Sequence, residues 1–237
     1  MHKNDTAAVI LASGKSTRFK YGKKQFARLA GKPVFSYSLK ELSRHSSIDI
    51  IVLVVPKKNV SDISRAFAGK QNKVKVITGG GTRQQSIMNA LLFLNDLRIT
   101  PKFVLFHDAA RPFISQAMIS SVIEVAQRFG GGVIGKQATD LTLEVTNGNI
   151  KKALRKNLTY SGYTPQCFKF KPLLHAHQRY LKSRFTEKDY SFDNIELLLK
   201  YRPGFKIKVV DTSFPSHKIT FAHDLEVAMV LLKYFTR

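Results

Sequence analysis

Residues 9–19 read VILASGKSTRF. The GKST within them has the look of a phosphate-binding tail, and how it is read decides the fold. The phosphate loop of ATPases and GTPases needs a glycine five positions before the glycine that precedes the lysine, G-x-x-x-x-G-K-[ST]. Counting back from Gly14 reaches Val9. Val9 belongs to the apolar run 7–11, which reads as a buried strand. A strand residue cannot open a cradle loop. The stretch is therefore a strand followed by a short loop of small residues carrying Lys15 and Arg18.

Outward from that strand, apolar runs alternate with amphipathic stretches: PVFSYSLKELSRH, DIIVLVV, VSDISRAFAG, KVKVIT, TRQQSIMNALLFLNDL, FVLFH, SQAMISSVIEVAQRF and GGVIGK. Short continuous apolar strands separated by helices predict an α/β fold with a mostly parallel twisted sheet covered on both faces. In one helix Thr82 is an N-cap with Gln85 three residues on, a capping box, followed by an apolar stripe of Ile87, Ala90, Leu91 and Leu94. Over about 139–158 the rhythm breaks into two β-rich segments around Asn147-Gly148, a hairpin signal. Helices follow (KPLLHAHQRYLKSRF, FDNIELLLKY), then a strand (FKIKVVD) and a helix from Thr220 onward. This reads as one domain over 1–237 with a protruding hairpin.

Composition narrows the function. No run of eighteen apolar residues occurs, so a transmembrane helix is not expected. MHKNDTAAVIL makes a poor signal peptide and a good first strand. A single cysteine, Cys167, rules out an internal disulfide framework and fits a reducing cytoplasm. Lys and Arg number 39 against 16 Asp and Glu, a formal charge of +23, which attracts polyanions of any kind. The basic residues are scattered, RKNLTYSGY and KSRFTEK being the nearest to a basic arm, and no zinc-finger, RNP or clear helix-turn-helix pattern occurs. Nucleic acid is not the expected partner.

Open α/β sheets bind ligands at the carboxyl ends of their strands, which selects three loops. SGKSTRF with KKQF supplies Arg18 and Lys24, suited to phosphate oxygens and to charge that develops in phosphoryl transfer. TGGGTRQQS sets Gly79, Gly80 and Gly81 before a helix N-terminus, where backbone amides can read a base edge, with Ser86 one turn inside. HDAARPF puts Asp108 at a strand end, a natural Mg²⁺ ligand, with Arg111 close behind; an N-cap or an Asp–Arg ion pair is the plainer reading. His175 and His177, two apart in a predicted helix, point to different faces and are not expected to share a metal. The loops together suggest a phosphate-rich nucleotide with Mg²⁺.

LASGKSTRF…KKQF, LAGKPV, GGGTRQQSIMNAL, HDAARPF, TPQCF and HKIT…DL, in that order, resemble the 2-C-methyl-D-erythritol 4-phosphate cytidylyltransferases and the related ribitol-5-phosphate cytidylyltransferases, over nearly the whole chain. The resemblance implies a three-layer, Rossmann-like nucleotidyltransferase fold. It also implies a cytoplasmic enzyme that moves CMP from CTP to a polyol phosphate with release of pyrophosphate. By similarity Arg18, Lys24 and Lys218 are catalytic, and Ala12, Ser13, Gly14, Gly80, Gly81 and Ser86 bind the nucleotide. Asp108 holds Mg²⁺ or another divalent cation. Arg111, Asp140, Thr142, Lys156 and Thr164 bind the acceptor. The hairpin is implied to be an arm that clasps a second subunit and reaches into its site, which makes a homodimer.

The chain departs from the family pattern at several places. Ser16 stands where a second loop glycine is usual, and Lys23 where a proline usually precedes the Lys-Gln pair. Asp140 is followed by Leu141, with Thr142 one later, in place of Asp-Thr. Lys156, with Arg155 beside it, stands at the arm arginine, and His217 at an asparagine. The CTP half matches well and the acceptor half has drifted. Ribitol phosphate, or another sugar phosphate feeding a surface polysaccharide, is therefore the alternative acceptor to methylerythritol phosphate. A non-catalytic nucleic-acid-binding descendant of the fold is the alternative of another class.

Overall fold

A computed structural model describes residues 5–68, 73–97, 100–183, 193–212 and 216–235. Strand β1 (Thr6–Leu11) is buried from Thr6 to Ile10 and lies inside a seven-stranded sheet. On one side it pairs in parallel with β4 (Ile48–Val55), which pairs in parallel with β5 (Val74–Thr78). On the other side it pairs in parallel with β6 (Phe103–Asp108). The chain thus leaves β1 in both directions, and the switch point where α/β ligands bind falls between β1 and β6.

Helices cover both faces, as the apolar runs predict, because β1 alternates its side chains. Ala8 and Ile10 pack against Phe35, Leu39 and Leu42 of α1 (Val34–Arg44) and against Ile119, Val122 and Ala126 of α4 (Gln116–Phe129). Ala7 and Val9 face Ile87, Leu91 and Leu94 of α3 (Arg83–Asn95), Leu173 and Leu174 of α5 (Phe170–Lys182), and Leu197 and Leu198 of α6 (Asn194–Tyr201). The short α2 (Val60–Phe67) and the two-residue strands β2 (Arg28–Leu29) and β3 (Lys32–Pro33) complete the first half. The capping box forms as expected: the Gln85 amide donates to Thr82 Oγ1 at 3.1 Å and the Thr82 amide to Gln85 Oε1 at 3.2 Å.

Past β6 the sheet continues through β10 (Tyr160–Lys169), β7 (Gly130–Gln137) and β11 (Lys206–Asp211). β10 runs antiparallel to both of its neighbours, so the sheet is mixed with one reversed strand. The sequence pattern offers no strand at 160–169, because Pro165 removes a donor that a central strand needs. The structure resolves the conflict with an irregularity. Pairing with β7 lapses between Gly162 and Gln166, and pairing with β6 begins at Gln166, so Pro165 sits in the gap.

The hairpin forms from β8 (Thr142–Thr146) and β9 (Asn149–Leu154), which pair only with each other. Asn147 and Gly148 both have positive φ, 49° and 78°, as a two-residue primed turn requires. Leu141, Val145 and Ile150 are exposed along it. The last helix, α7 (Asp224–Phe235), begins four residues later than Thr220. The intervening turn is tied down by the Asp224 carboxylate, which accepts from the amides of Thr220 (2.7 Å) and Phe221 (2.8 Å). Most of the basic run 182–188 lies outside the described residues. Among the described residues no helix is long and apolar enough to cross a membrane.

The fold makes one local prediction. Ser115 Oγ accepts from the Met118 amide at 3.2 Å and caps α4. Ser115→Ala is expected to cost about 1 kcal/mol, read as a Tm lowered by roughly 2–4 °C in thermal unfolding.

Candidate active site

Four strand ends, those of β6, β1, β4 and β5, lie side by side at the switch point and are stitched together by backbone bonds. Leu11 and Asp108 are register partners of β1 and β6. The amide of Ala12 donates to the Val54 carbonyl, that of Ala109 to Leu11, and that of Gly79 to Val55. Over them opens a cleft of about 280 Å³. Its walls come from the three loops that the sequence singles out, joined by Lys218 of the 217–220 segment. Ser13, Gly14, Lys15, Lys24 and Gln25 form one side, Gly80, Gly81, Thr82, Arg83 and Ser86 another, and Asp108, Ala110 and Lys218 close it.

Gly79 lets the first two loops touch. A Cβ there would fall on the Ser13 side chain and press on Ser86 Oγ. Without it, Ser13 Oγ and Ser86 Oγ hydrogen-bond at 2.9 Å. Gly80 is equally constrained, since a Cβ would collide with Gln85. The amides of the glycine loop are already engaged: Gly80 donates to Ser86 Oγ at 3.0 Å and Gly81 to Gln85 Oε1 at 2.8 Å. Reading a base edge through these two amides, as the sequence suggests, would require exchanging both partners.

Positive charge dominates the cleft. Lys15, Lys24, Arg83 and Lys218 line it with a single carboxylate, Asp108. Lys218 Nζ donates to Asp108 Oδ2 at 2.8 Å, Arg83 lies 3.8 Å from Oδ1, and Arg111 Nε lies 3.7 Å from Oδ2. Burial would raise the Asp108 carboxyl, but Lys218, Arg83 and Arg111 outweigh it and hold the group well below the usual carboxylate range. Partial burial, helped by Lys218, Arg18 and Arg111 and opposed by Asp108, lowers the Lys24 ammonium to about 8. A site with this excess of cations is built for an anion. Among the described residues no cluster of three His, Cys, Asp or Glu side chains could hold a metal. One ionised carboxylate beside a phosphate site fits Mg²⁺, which takes one or two carboxylates with substrate phosphates and water.

Other expected residues stand elsewhere. Ala12 is buried beneath the loop and exposes no surface to the cleft. Arg18 is outside the lining, its guanidinium 5.8 Å from the centre of the Phe221 ring. Arg111 and Thr164 lie behind Asp108: Thr164 Oγ1 accepts from the Asp108 amide at 3.1 Å. Arg111 donates to the Ser216 carbonyl and hydroxyl and stacks 5.0 Å from Tyr163. Asp140, Thr142 and Lys156 are on or beside the hairpin and do not line this chain's own cleft; Lys156 Nζ donates to the Thr139 carbonyl at 3.0 Å. His175 is exposed, whereas His177 is buried and bonds Asn194 at 2.9 Å. Sequence reasoning missed Arg83, which bridges Asp108 to Asp193 at 3.4 Å. Its signal was available, one residue past the Thr82 cap. It also missed Gln25, whose neutral side chain carries no charge signal.

The sequence and the fold that builds this cleft match a known family. Residues 6–234 match the family model described as IspD, 2-C-methyl-D-erythritol 4-phosphate cytidylyltransferase. The chain belongs to that family. It is 33% identical over 231 residues to the 2-C-methyl-D-erythritol 4-phosphate cytidylyltransferase of Clostridium acetobutylicum, covering 95% of this chain and 96% of the relative. The enzyme of the same name from Thermotoga neapolitana is also 33% identical, with 97% and 98% covered. Among solved structures, the 4-diphosphocytidyl-2C-methyl-D-erythritol synthase of Anaerococcus prevotii has the same fold, with a TM-score of 0.83 at 24% identity over 97% of this chain and 96% of that one.

The lowered Lys24 pKa carries a prediction of definite sign. In the unfolded chain Lys24 keeps its proton up to about 10.5, but in the fold only up to about 8. Below pH 8 its charge therefore opposes folding, and that penalty fades as pH rises from 8 to 10.5. Lys24→Met is expected to melt above the parent chain at pH 7, with the gap shrinking toward pH 10. A variant that melts lower at pH 7 would contradict this.

Proposed function

We propose that this chain transfers CMP from CTP to 2-C-methyl-D-erythritol 4-phosphate, releasing pyrophosphate, and so serves isoprenoid precursor synthesis. The observation that carries the reading is the cation-lined cleft around a single carboxylate at the switch point, in a member of this family. An oxygen of the acceptor phosphate attacks the α-phosphorus of CTP, the bond to the bridging oxygen breaks, and pyrophosphate leaves with that electron pair. Lys24 and Lys218 neutralise the charge that grows on the transferring and leaving phosphates. Arg18, outside the lining but near enough to act electrostatically on Lys24, is assigned the same role. Ser13 and Gly14 border the triphosphate, and Gly80, Gly81 and Ser86 form the slot for cytosine and its ribose. Asp108 would hold Mg²⁺, which when bound screens the phosphates and fixes their orientation. Arg111 and Thr164 hold Asp108 in place.

Asp140, Thr142 and Lys156 do not line their own cleft, which supports a homodimer whose arm completes the neighbour's acceptor site. The curated relatives compared above carry the methylerythritol phosphate name, which favours that acceptor over ribitol 5-phosphate.

The test is pyrophosphate release with CTP, Mg²⁺ and each acceptor in turn. Methylerythritol 4-phosphate is expected to be the best acceptor, and no release with any polyol phosphate would overturn the reading. Lys24→Ala is expected to lower turnover by ~100-fold or more while the chain stays folded. Arm sharing has its own assay. Mixed dimers of Lys24→Ala with Lys156→Ala chains should regain activity that neither variant shows alone, because one site per dimer is then intact. Without complementation, the arm does not act across subunits.

A further inference from the structure

Ser16 has φ of +60°, a conformation that glycine adopts without strain and that L side chains rarely enter. Its side chain spans two parts of the site. Ser16 Oγ donates to Gln25 Oε1 at 3.0 Å and accepts the Lys24 amide at 3.3 Å. Gln25 is 3% exposed, and its amide group donates both protons into the loop, to the Ala12 carbonyl at 2.7 Å and the Gly14 carbonyl at 3.2 Å. Every side-chain hydrogen-bonding group of this pair except spare lone pairs is therefore used between the phosphate loop and the Lys24 turn. Lys23 adds a strap from outside, donating to the Lys15 carbonyl at 3.0 Å. Ser13 and Gly14 of the loop and Lys24 of the turn all line the cleft.

We propose that Ser16 and Gln25 form a latch that holds the phosphate loop and Lys24 in register before the nucleotide arrives, making both of them positioning residues for the triphosphate. The latch rests on the nucleotidyl-transfer reading but acts on phosphate binding, which can be measured without turnover. A side chain merely tolerated at position 16 makes the opposite forecast, because replacing it with glycine would relieve the backbone and leave binding intact or improved. The latch requires glycine to loosen the loop even as it relieves the backbone. A preorganised loop lowers the cost of ordering on binding. The loss should therefore fall on the nucleotide and spare the acceptor.

The experiment compares the parent chain with Ser16→Gly and Ser16→Ala by calorimetric titration with CTP and with inorganic tripolyphosphate, alongside steady-state kinetics. Ser16→Gly is expected to weaken both ligands by about five- to twentyfold and to raise KM for CTP to match, with the acceptor KM unchanged and no loss of thermal stability. Ser16→Ala, which keeps the strained backbone and loses the hydroxyl, should bind at least as weakly and melt lower. Ser16→Gly binding tripolyphosphate as tightly as the parent would overturn the latch. So would an equal rise in both KM values. A parent that binds tripolyphosphate but transfers CMP to no acceptor would sink the assigned reaction and leave the latch to be judged on the binding ratio alone. A parent that binds neither ligand would overturn both.

Discussion

The site depends on one carboxylate set among cations. Asp108 is the single acidic side chain lining the cleft among the described residues, and Lys218, Arg83 and Arg111 are ordered around it. Without that anion the cations would face only each other, and the lowered Lys24 pKa records its burial first and the neighbouring cations second. The arrangement holds basic groups ready for phosphate at a cost in stability, as functional sites commonly do. Asp108 can play this part because its backbone is fixed twice, by the β1–β6 register and by the Thr164 hydroxyl on its amide.

Around that centre the loops are shaped as much by absent side chains as by present ones. Gly79 and Gly80 leave room that the Ser13 and Gln85 side chains fill, and this brings the phosphate loop against the start of α3. Opposite them the chain uses a different device. At position 16 a serine occupies a glycine conformation and uses its hydroxyl to join the loop to Lys24. One side of the cleft is made by close backbone approach, the other by a half-buried polar network, and such networks are stiff when fully satisfied.

Much of this was legible beforehand wherever local physics decides. The apolar runs, the Thr82–Gln85 capping box and the Asn147-Gly148 turn depend on neighbours a few residues away, and each formed where expected. β10 was hidden because Pro165 argues against a central strand, and only the lapse in pairing with β7 admits it. The start of α7 moved because Asp224 accepts the amides of Thr220 and Phe221. Gln25 left no trace in the pattern, since a buried neutral amide has neither charge nor periodicity to mark it.

By itself the sequence determined the α/β alternation, the three ligand-facing loops, the basic character of the site and, through ordered motifs, the family. These follow from side-chain type and short spacing. Only the tertiary structure decided which basic residues share the cleft. Lys218 meets Asp108 across 110 positions of chain, while Arg18, six residues before Lys24, packs outside on Phe221. Separation along the chain does not measure separation in a folded sheet, because strand register sets the distances. The same reason puts Arg111 and Thr164 beside the carboxylate and leaves the hairpin residues out of the lining of their own cleft.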